Sequence, residues 1–272
     1  MTDAAQASPA MPDRRSLLAL PLAAAWAGRA AAQAPATVAA AANVKPAIEE
    51  LAALFERAPD GQPLRLVFGS SGNFVAQILQ GAPFHLFVSA DEATVFRVAE
   101  AGRTLGGPAD RGRVYALGRL ALLAPRGSPL PVDAELRGLG AALRDGRVQR
   151  LAIANPEHAP YGQRAREALQ HAGLWELARP RLVIAENVSQ AVQFALSGST
   201  QGGLVAHSLT LVPAVAAAGT AALVPAAFHA PLMQRLALIQ GAPPAARAFH
   251  DFLLASAAHA VWQRHGYTPP GA

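Results

Sequence analysis

The sequence contains no cysteine, and this absence excludes several classes of protein at once. Without cysteine there is no disulfide framework, no zinc site built on thiolates, no thiol nucleophile and no lipid anchor on a cysteine. Lys45 is the only lysine, and charged residues make up only 15% of the chain. The net charge of +5 therefore comes from scattered arginines. They form no basic tract of the kind that binds nucleic acid.

Long apolar runs are also missing once the N-terminus is passed. Residues 35–272 contain no stretch of the roughly 18 uninterrupted apolar residues that cross a membrane. Before them, Arg14 and Arg15 precede a short apolar segment and an alanine-rich stretch. This order is typical of an export signal at residues 1–34, with cleavage within residues 30–34, and a disordered tail is the alternative. The paired arginines favour the twin-arginine route, and the general secretory route stays open.

The rest of the composition is that of a globular protein with a substantial core. The chain has 272 residues, of which 52% are hydrophobic, enough for one large domain or two lobes. Strand and helix patterns alternate, which predicts an α/β fold with mainly parallel sheets flanked by helices. The predicted strands are 37–42, 64–68, 85–88, 114–116, 120–124, 151–154, 181–185, 202–206 and 236–239. The predicted helices are 46–55, 74–79, 92–100, 136–143, 163–172, 191–196 and 245–265, with Asn43 and Asp91 as caps of the first and third.

The stretch at 64–80 organises the rest of the chain. An apolar strand ends at Phe68, the sequence GSSG at 69–72 breaks it, and a helical pattern follows. A helix that begins directly after a strand leaves its first N–H groups unpaired and its positive dipole end exposed. With the hydroxyls of Ser70 and Ser71 added, such an end suits an anion. An ordinary serine cap of the helix is the alternative interpretation.

Four strand-to-helix junctions carry hydrogen-bond donors or small residues, at 42–43, 69–72, 159–162 and 186–189. In sheets of this class, ligands bind beyond the carboxyl ends of the strands. If the four junctions face one cleft, they form a pocket of helix N-termini with almost no formal charge. The pattern therefore predicts a site for a small anion.

Several motifs together resemble those of the periplasmic molybdate-binding proteins of ABC importers. They are found at 67–72, 80–84, 89–92, 115–120, 153–162, 186–191 and 251–253. Their order and spacing extend over nearly the whole mature chain, which makes the resemblance specific where any single motif would be weak.

The resemblance implies a two-lobed periplasmic binding fold of type II, with the ligand cleft between the lobes. Lobe one would contain residues 35–117 and 223–272, and lobe two residues 118–222. The implied function is that of a soluble periplasmic receptor that binds molybdate, and tungstate as well, and delivers it to the permease of an inner-membrane ABC transporter. We expect no enzymatic activity, no cofactor and no nucleic-acid partner, and we expect a monomer.

The same resemblance assigns the residues of the site. It places molybdate contacts at Ser71, Tyr161 and Val188, the last through its main-chain N–H. The GSSG turn itself adds Ser70 as a second hydroxyl at the same helix start. The family usually has a serine or threonine where this chain has Ala42, so we expect Asn43 to compensate through its amide or its backbone. Some members also supply a tyrosine at the position of Ala206, and that contact is absent in this chain.

Other functions remain open from the sequence. The pocket could hold sulfate or phosphate, and the same fold could serve a sensor domain. An enzyme is less consistent with the residues, because GSSG does not match the nucleophile elbow and the eight histidines show no metal-ligand spacing. His158 and His207 lie near the cleft loops, and we interpret both as packing residues. Molybdate and tungstate are nearly isosteric, so the sequence does not separate them.

Overall fold

Ten β-strands form the framework of the computed structural model, which describes Thr2 and residues 34–270. In chain order, the strands are β1 (Ala36–Ala41), β2 (Leu64–Gly69), β3 (Leu86–Ser89), β4 (Arg113–Gly118), β5 (Leu120–Pro125), β6 (Leu151–Ala154), β7 (Leu182–Ala185), β8 (Gly203–Ala206), β9 (Gly219–Leu223) and β10 (Leu232–Leu238). Apart from Thr2 and Ala34, the predicted export signal lies outside the described residues. No helix in the described part of the chain is long and apolar enough to cross a membrane.

The strands form two five-stranded sheets, with the orders β2-β1-β3-β10-β4 and β7-β6-β8-β5-β9. Both sheets are mixed, which corrects the prediction of mainly parallel sheets. In the first sheet β1 pairs in parallel with β2 and β3, whereas β10 runs antiparallel to β3 and β4. In the second, β6 pairs in parallel with β7 and β8, whereas β5 runs antiparallel to β8 and β9. Every antiparallel pair contains β5 or β10, and each of these two strands directly follows a crossing of the chain between the sheets.

Eleven α-helices in the described residues cover the sheets. In chain order, they are α1 (Lys45–Glu56), α2 (Ser71–Leu79), α3 (Glu92–Glu100), α4 (Arg137–Arg144), α5 (Pro160–His171), α6 (Trp175–Ala178), α7 (Val188–Leu196), α8 (His207–Thr210), α9 (Pro213–Ala218), α10 (Pro244–Leu254) and α11 (Ser256–Arg264). We call the first sheet with α1 to α3, α10 and α11 the first lobe, and the second sheet with α4 to α9 the second lobe. The chain passes between the lobes at Arg119 and again between β9 and β10. The lobe bounds given from the sequence stay a prediction.

The central strands are short and apolar because both of their faces are covered. Strand β1 has the sequence ATVAAA and is buried over almost its whole length, and β6, LAIA, is buried throughout. Small residues in these strands let the flanking helices approach closely. Each lobe therefore has its own apolar core, and that of the second lobe also includes Ala41, Ala42 and Leu232.

The predicted helix at 245–265 is wrong in one respect, because it is broken at Ala255. That residue is extended, with φ −70° and ψ 152°, and separates α10 from α11. The alanine-rich sequence favours helix on both sides, so tertiary packing decides the break. The indole Nε1 of Trp262 donates to the carbonyl oxygen of Leu253 at 3.2 Å and holds α11 back against α10. Trp262 is fully buried and packs against Tyr115 and Tyr267.

Candidate anion-binding site

One pocket lies between the lobes, beyond the carboxyl ends of β1, β2, β6 and β7. Its cavity volume is about 10 Å³, roughly the space that one water needs, so the walls of the pocket lie close together. The residues that line it are Ala41, Ala42, Asn43, Gly69, Ser70, Ser71, Ala90, Ala159, Pro160, Tyr161, Asn187 and Val188. All six residues that the sequence assigned to the site are among them. Which of the six contact a ligand stays a prediction.

Helix N-termini from both lobes form the walls of this pocket. Ser71 is the first residue of α2, Val188 is the first residue of α7, and Tyr161 is the second residue of α5. Ala42 begins a short 3₁₀ turn, Ala42–Val44, that leads into α1. Because each helix presents unpaired N–H groups and a partial positive charge at its start, the pocket favours an anion.

The two serines of the GSSG turn have different roles. Ser70 is the N-cap of α2, and its Oγ accepts from the N–H of Asn73 at 3.3 Å. The ordinary cap interpretation is therefore correct for Ser70. The Oγ of Ser71 accepts instead from the N–H of Ala90 at 3.0 Å, and the side chain is fully buried at the pocket wall. Since a hydroxyl that accepts still carries its own proton, Ser71 remains able to donate to an anion.

Tyr161 lies at the start of α5 on the pocket wall, and its phenol is bonded in the protein interior. Pro160, the first residue of α5, has no N–H, so Tyr161 carries the first amide hydrogen of that helix. The Oη of Tyr161 instead accepts from Nε2 of Gln234 at 3.2 Å in the protein interior. Burial raises the pKa of Tyr161 well above its usual range, so the hydroxyl stays neutral. The sequence pattern predicts a start of α5 at 163, and the helix begins three residues earlier because proline suits the first helical position.

Val188 is presented to the pocket by the cap of its helix. Asn187 is the N-cap of α7, and its Oδ1 accepts from the N–H groups of Ser189 and Gln190 at 3.0 and 3.1 Å. Val188 is the first helical residue, so its N–H has no carbonyl partner within the helix, because the residue four positions earlier lies outside it. Its N–H is thus the donor that α7 can offer to an anion.

Asn43 does not cap the first helix, contrary to the prediction. It lies inside the 3₁₀ turn, and its Nδ2 donates to Oε1 of Gln234 at 3.0 Å and to Oη of Tyr267 at 2.9 Å. Both amide hydrogens are thereby committed to the interior. Its Oδ1 is buried with no partner among the described residues. Of the two ways in which Asn43 was expected to compensate for Ala42, only its backbone N–H is left.

Sequence reasoning missed the polar residues beneath the pocket, Tyr115, Gln234 and Tyr267. All three are almost completely buried, and burial is the first cause of the raised pKa of each tyrosine. One signal for Gln234 was available in the sequence LMQRLAL of β10. Gln234 occupies the position between Leu232 and Leu236 on the strand face that is otherwise apolar. A glutamine at such a position requires internal partners.

The electrostatics of the pocket come from dipoles rather than formal charge. Among the described residues that line it, none is aspartate, glutamate, lysine, arginine or histidine. The described part of the chain also holds no cluster of three or more histidine, aspartate or glutamate side chains that could bind a metal ion. The arrangement suits an anion held by neutral donors, whose size is selected by the fixed spacing of those donors.

Known proteins are similar to this chain in sequence and in fold. The family described as bacterial extracellular solute-binding protein matches residues 36–268. The chain belongs to this family. It is 36% identical over 231 residues to the molybdate-binding protein ModA of Rhodobacter capsulatus, an alignment that covers 84% of this chain and 86% of that protein. It is 33% identical over 240 residues to ModA of Azotobacter vinelandii, covering 88% and 91% of the two chains.

A solved structure has the same fold as this solute-binding protein. The periplasmic molybdate-binding protein of Azotobacter vinelandii superposes with a TM-score of 0.75 at 31% identity, over 86% of this chain and 99% of that one. The two-lobed type II fold inferred from the sequence is thereby confirmed.

The lobes of this solute-binding protein are joined beside the pocket by hydrogen bonds. The N–H of Gly72 donates to the carbonyl oxygen of His158 at 2.9 Å, and the Oγ of Ser70 lies 2.8 Å from Nδ1 of the same histidine. On the other wall, the Oγ of Ser189 donates to the carbonyl oxygen of Ala42 at 2.9 Å. These bonds connect donor-bearing segments of the two lobes, so the pocket described here is that of the closed arrangement.

Proposed function

We propose that this protein is an exported receptor that binds molybdate, and also tungstate, and delivers it to the permease of an ABC importer. The observation that carries the proposal is the meeting of helix starts from both lobes at one pocket without a charged side chain. Relatives named as molybdate-binding proteins, at 33% and 36% identity over most of their length, support the same ligand.

Neutral donors are sufficient for the affinity that such a receptor needs. A hydrogen bond to a charged group contributes about 1.5–3 kcal/mol net. At the upper end of this range, four or five such bonds total about 12–15 kcal/mol, which reaches the roughly −8 kcal/mol of micromolar binding after an association cost of about 4 kcal/mol. The hydroxyl of Ser71 and the N–H groups of Tyr161, Val188 and Asn43 provide four of them.

The lack of arginine and lysine in the pocket favours selection by size. A guanidinium would attract every dianion of similar charge. Fixed dipoles at set distances instead bind best the oxyanion whose oxygen atoms reach all the donors together. Molybdate and tungstate are nearly isosteric and should bind alike, whereas the smaller sulfate and phosphate should leave donors too distant.

The remaining parts of the proposal concern transport. The protein acts as a monomeric binding protein without catalysis, and its partner is the membrane permease of the importer. The described residues contain no helix that crosses a membrane. The arginine pair at 14–15 supports export by the twin-arginine route.

Calorimetric titration of the mature protein with molybdate, tungstate, sulfate and phosphate tests the function. We expect one site per chain, micromolar or tighter for molybdate and tungstate, with sulfate and phosphate weaker by at least about 100-fold, a difference of roughly 2.7 kcal/mol. Tighter binding of sulfate or phosphate than of molybdate would show that the ligand of this protein is another anion. Absence of binding to all four would end the receptor proposal.

A further inference from the structure

Gln234 is a polar side chain at a strand position where the sequence pattern predicts an apolar one. It lies in β10, is completely buried, and faces the same side of the strand as Leu232 and Leu236. Leu232 belongs to the core of the second lobe and Leu236 to that of the first. Gln234 therefore lies where the two cores meet, directly after the chain has returned to the first lobe.

The amide of Gln234 connects the two walls of the pocket. Its Oε1 accepts from Nδ2 of Asn43 at 3.0 Å and from Oη of Tyr115 at 2.7 Å. Its Nε2 donates to Oη of Tyr161 at 3.2 Å. Asn43 lines the pocket from the first lobe, and Tyr161 lines it from the second. One side chain thus bonds a residue on each wall.

The backbone around Gln234 is adapted to this position. The register between β10 and β4 shifts between Gln234 and Arg235, and Tyr115 of β4 is the residue passed over at that bulge. A bulge redirects side chains at the point where it occurs, and here it lies beside the Gln234–Tyr115 bond. Gly118, at the crossing between lobes, leaves the space that the contact needs. A Cβ there would lie 2.3 Å from Nε2 of Gln234 and 2.5 Å from Oη of Tyr161.

We propose that Gln234 is a positioning residue for anion binding, which fixes the N–H of Tyr161 relative to the first-lobe wall through its bonds to Tyr161 and Asn43. This inference rests on the proposed anion-binding function. Pro160, the first residue of α5, has no N–H, so the first N–H of that helix belongs to Tyr161. A displacement of the Tyr161 side chain therefore moves this N–H as well. Gln234 reaches across the boundary of the lobes, so its bond to Tyr161 contributes to holding the site closed.

Its removal should consequently act on ligand release. Gln234→Met keeps the length of the side chain and removes both polar atoms, and Tyr161→Phe breaks the same link from the other end. Molybdate affinity, its association and dissociation rate constants, and the melting temperature without ligand would be measured for both variants and for the double variant. Thr104→Val is the matched control, since Thr104 is a buried hydroxyl of the first lobe that bonds the carbonyl oxygen of Gly107 and does not line the pocket.

We expect Gln234→Met and Tyr161→Phe each to weaken molybdate binding about tenfold, mainly through faster dissociation. The double variant should be no weaker than the more affected single variant, because the two changes break one link. Thr104→Val should lower the melting temperature while leaving the affinity within about twofold. Should Gln234→Met not fold, Tyr161→Phe alone still decides the question.

Wild-type affinity in Gln234→Met or in Tyr161→Phe would overturn the positioning role, as would losses that add fully in the double variant. These outcomes differ from failure of the proposed function, in which the wild-type protein itself would not bind molybdate.

Discussion

The N–H of Gly72 donates to the carbonyl oxygen of His158 at 2.9 Å, and this contact depends on the absence of a side chain at residue 72. A Cβ added there would lie 2.4 Å from that oxygen and 2.9 Å from the Cα of His158. Gly72 is the second residue of α2 in the first lobe, and His158 precedes α5 in the second. The lobes can therefore meet beside the pocket only because a glycine stands at this position.

Gly72→Ala should separate binding from stability. Alanine is favoured over glycine inside a helix by about 1 kcal/mol, so the ligand-free, open protein should be as stable as wild type or more stable. Closure around the anion should meet the clash, and molybdate affinity should fall at least about tenfold, roughly 1.4 kcal/mol. Melting temperature without ligand and calorimetric titration measure the two effects.

X-ray scattering of the same variant tests whether the ligand closes the lobes at all. A site divided between lobes is complete only when they approach, so molybdate should make the wild-type protein more compact and Gly72→Ala much less so. Unchanged scattering of wild type at saturating molybdate would contradict closure. Normal affinity of Gly72→Ala would show that this contact is not needed for binding.

Ser71→Ala should weaken every oxyanion that binds. It removes one hydroxyl donor facing the charge, at a cost of about 1.5–3 kcal/mol, or roughly 10- to 150-fold in affinity. It also leaves the N–H of Ala90 without its acceptor, so the melting temperature should fall modestly. Ser197→Ala, at the end of α7 and outside the pocket, is the control and should change neither quantity. Unaltered molybdate binding in Ser71→Ala would show that this serine does not donate to the anion.

Local pattern was sufficient to predict the strands that carry the site and the turns that follow them. The junctions at 69–72 and 186–189 lie close to the positions that the sequence indicated, because glycine, serine and asparagine have strong local preferences at the ends of strands and helices. Asp91 also caps α3 as predicted, accepting from the N–H of Thr94 at 3.1 Å. These features depend on a few neighbouring residues.

What the sequence could not predict depends on residues far apart in the chain. Asn43 was expected to cap a helix, yet its amide bonds Gln234 and Tyr267, which are 191 and 224 residues away. The break at Ala255 is likewise decided by Trp262 rather than by the helix preference of the alanines. In both cases the partner becomes a neighbour only after the fold has formed, so no local pattern could indicate it.

Ala42→Ser should increase affinity for molybdate. The amide hydrogens of Asn43 are committed to Gln234 and Tyr267, so its side chain does not supply the donor that Ala42 lacks. A serine hydroxyl at the pocket wall should add up to about tenfold, roughly 1.4 kcal/mol. Ala42→Val is the control, because it adds bulk without a donor and should weaken binding. Equal or weaker binding in Ala42→Ser would show that a hydroxyl at this position does not reach the anion beside the donors already present.

Acidification should destabilise the protein before its carboxylates titrate, and His229 should be one cause. The pKa of His229 lies below its usual 6.5, and burial is the main cause. The charges of Arg164 and Arg119 also lower this pKa, whereas the hydrogen bond to Ala230 and the charge of Glu167 raise it without cancelling the effect. Burial and Arg119 lower the pKa of His207 in the same direction. Below pH 6.5 the unfolded chain then binds more protons than the folded one, so the free energy of unfolding falls as pH falls.

His229→Asn should reduce that dependence. The Nδ1 of His229 lies 2.8 Å from the carbonyl oxygen of Ala230, and an asparagine amide can keep this donor while removing the group that titrates. Denaturant unfolding between about pH 7.5 and 5 would be compared with wild type, a range above that in which Glu50, with its lowered pKa, gains its proton. Each unit by which the pKa is lowered corresponds to about 1.4 kcal/mol of lost stability. If His229→Asn and wild type lose stability equally over this range, His229 is not the group that senses the acid.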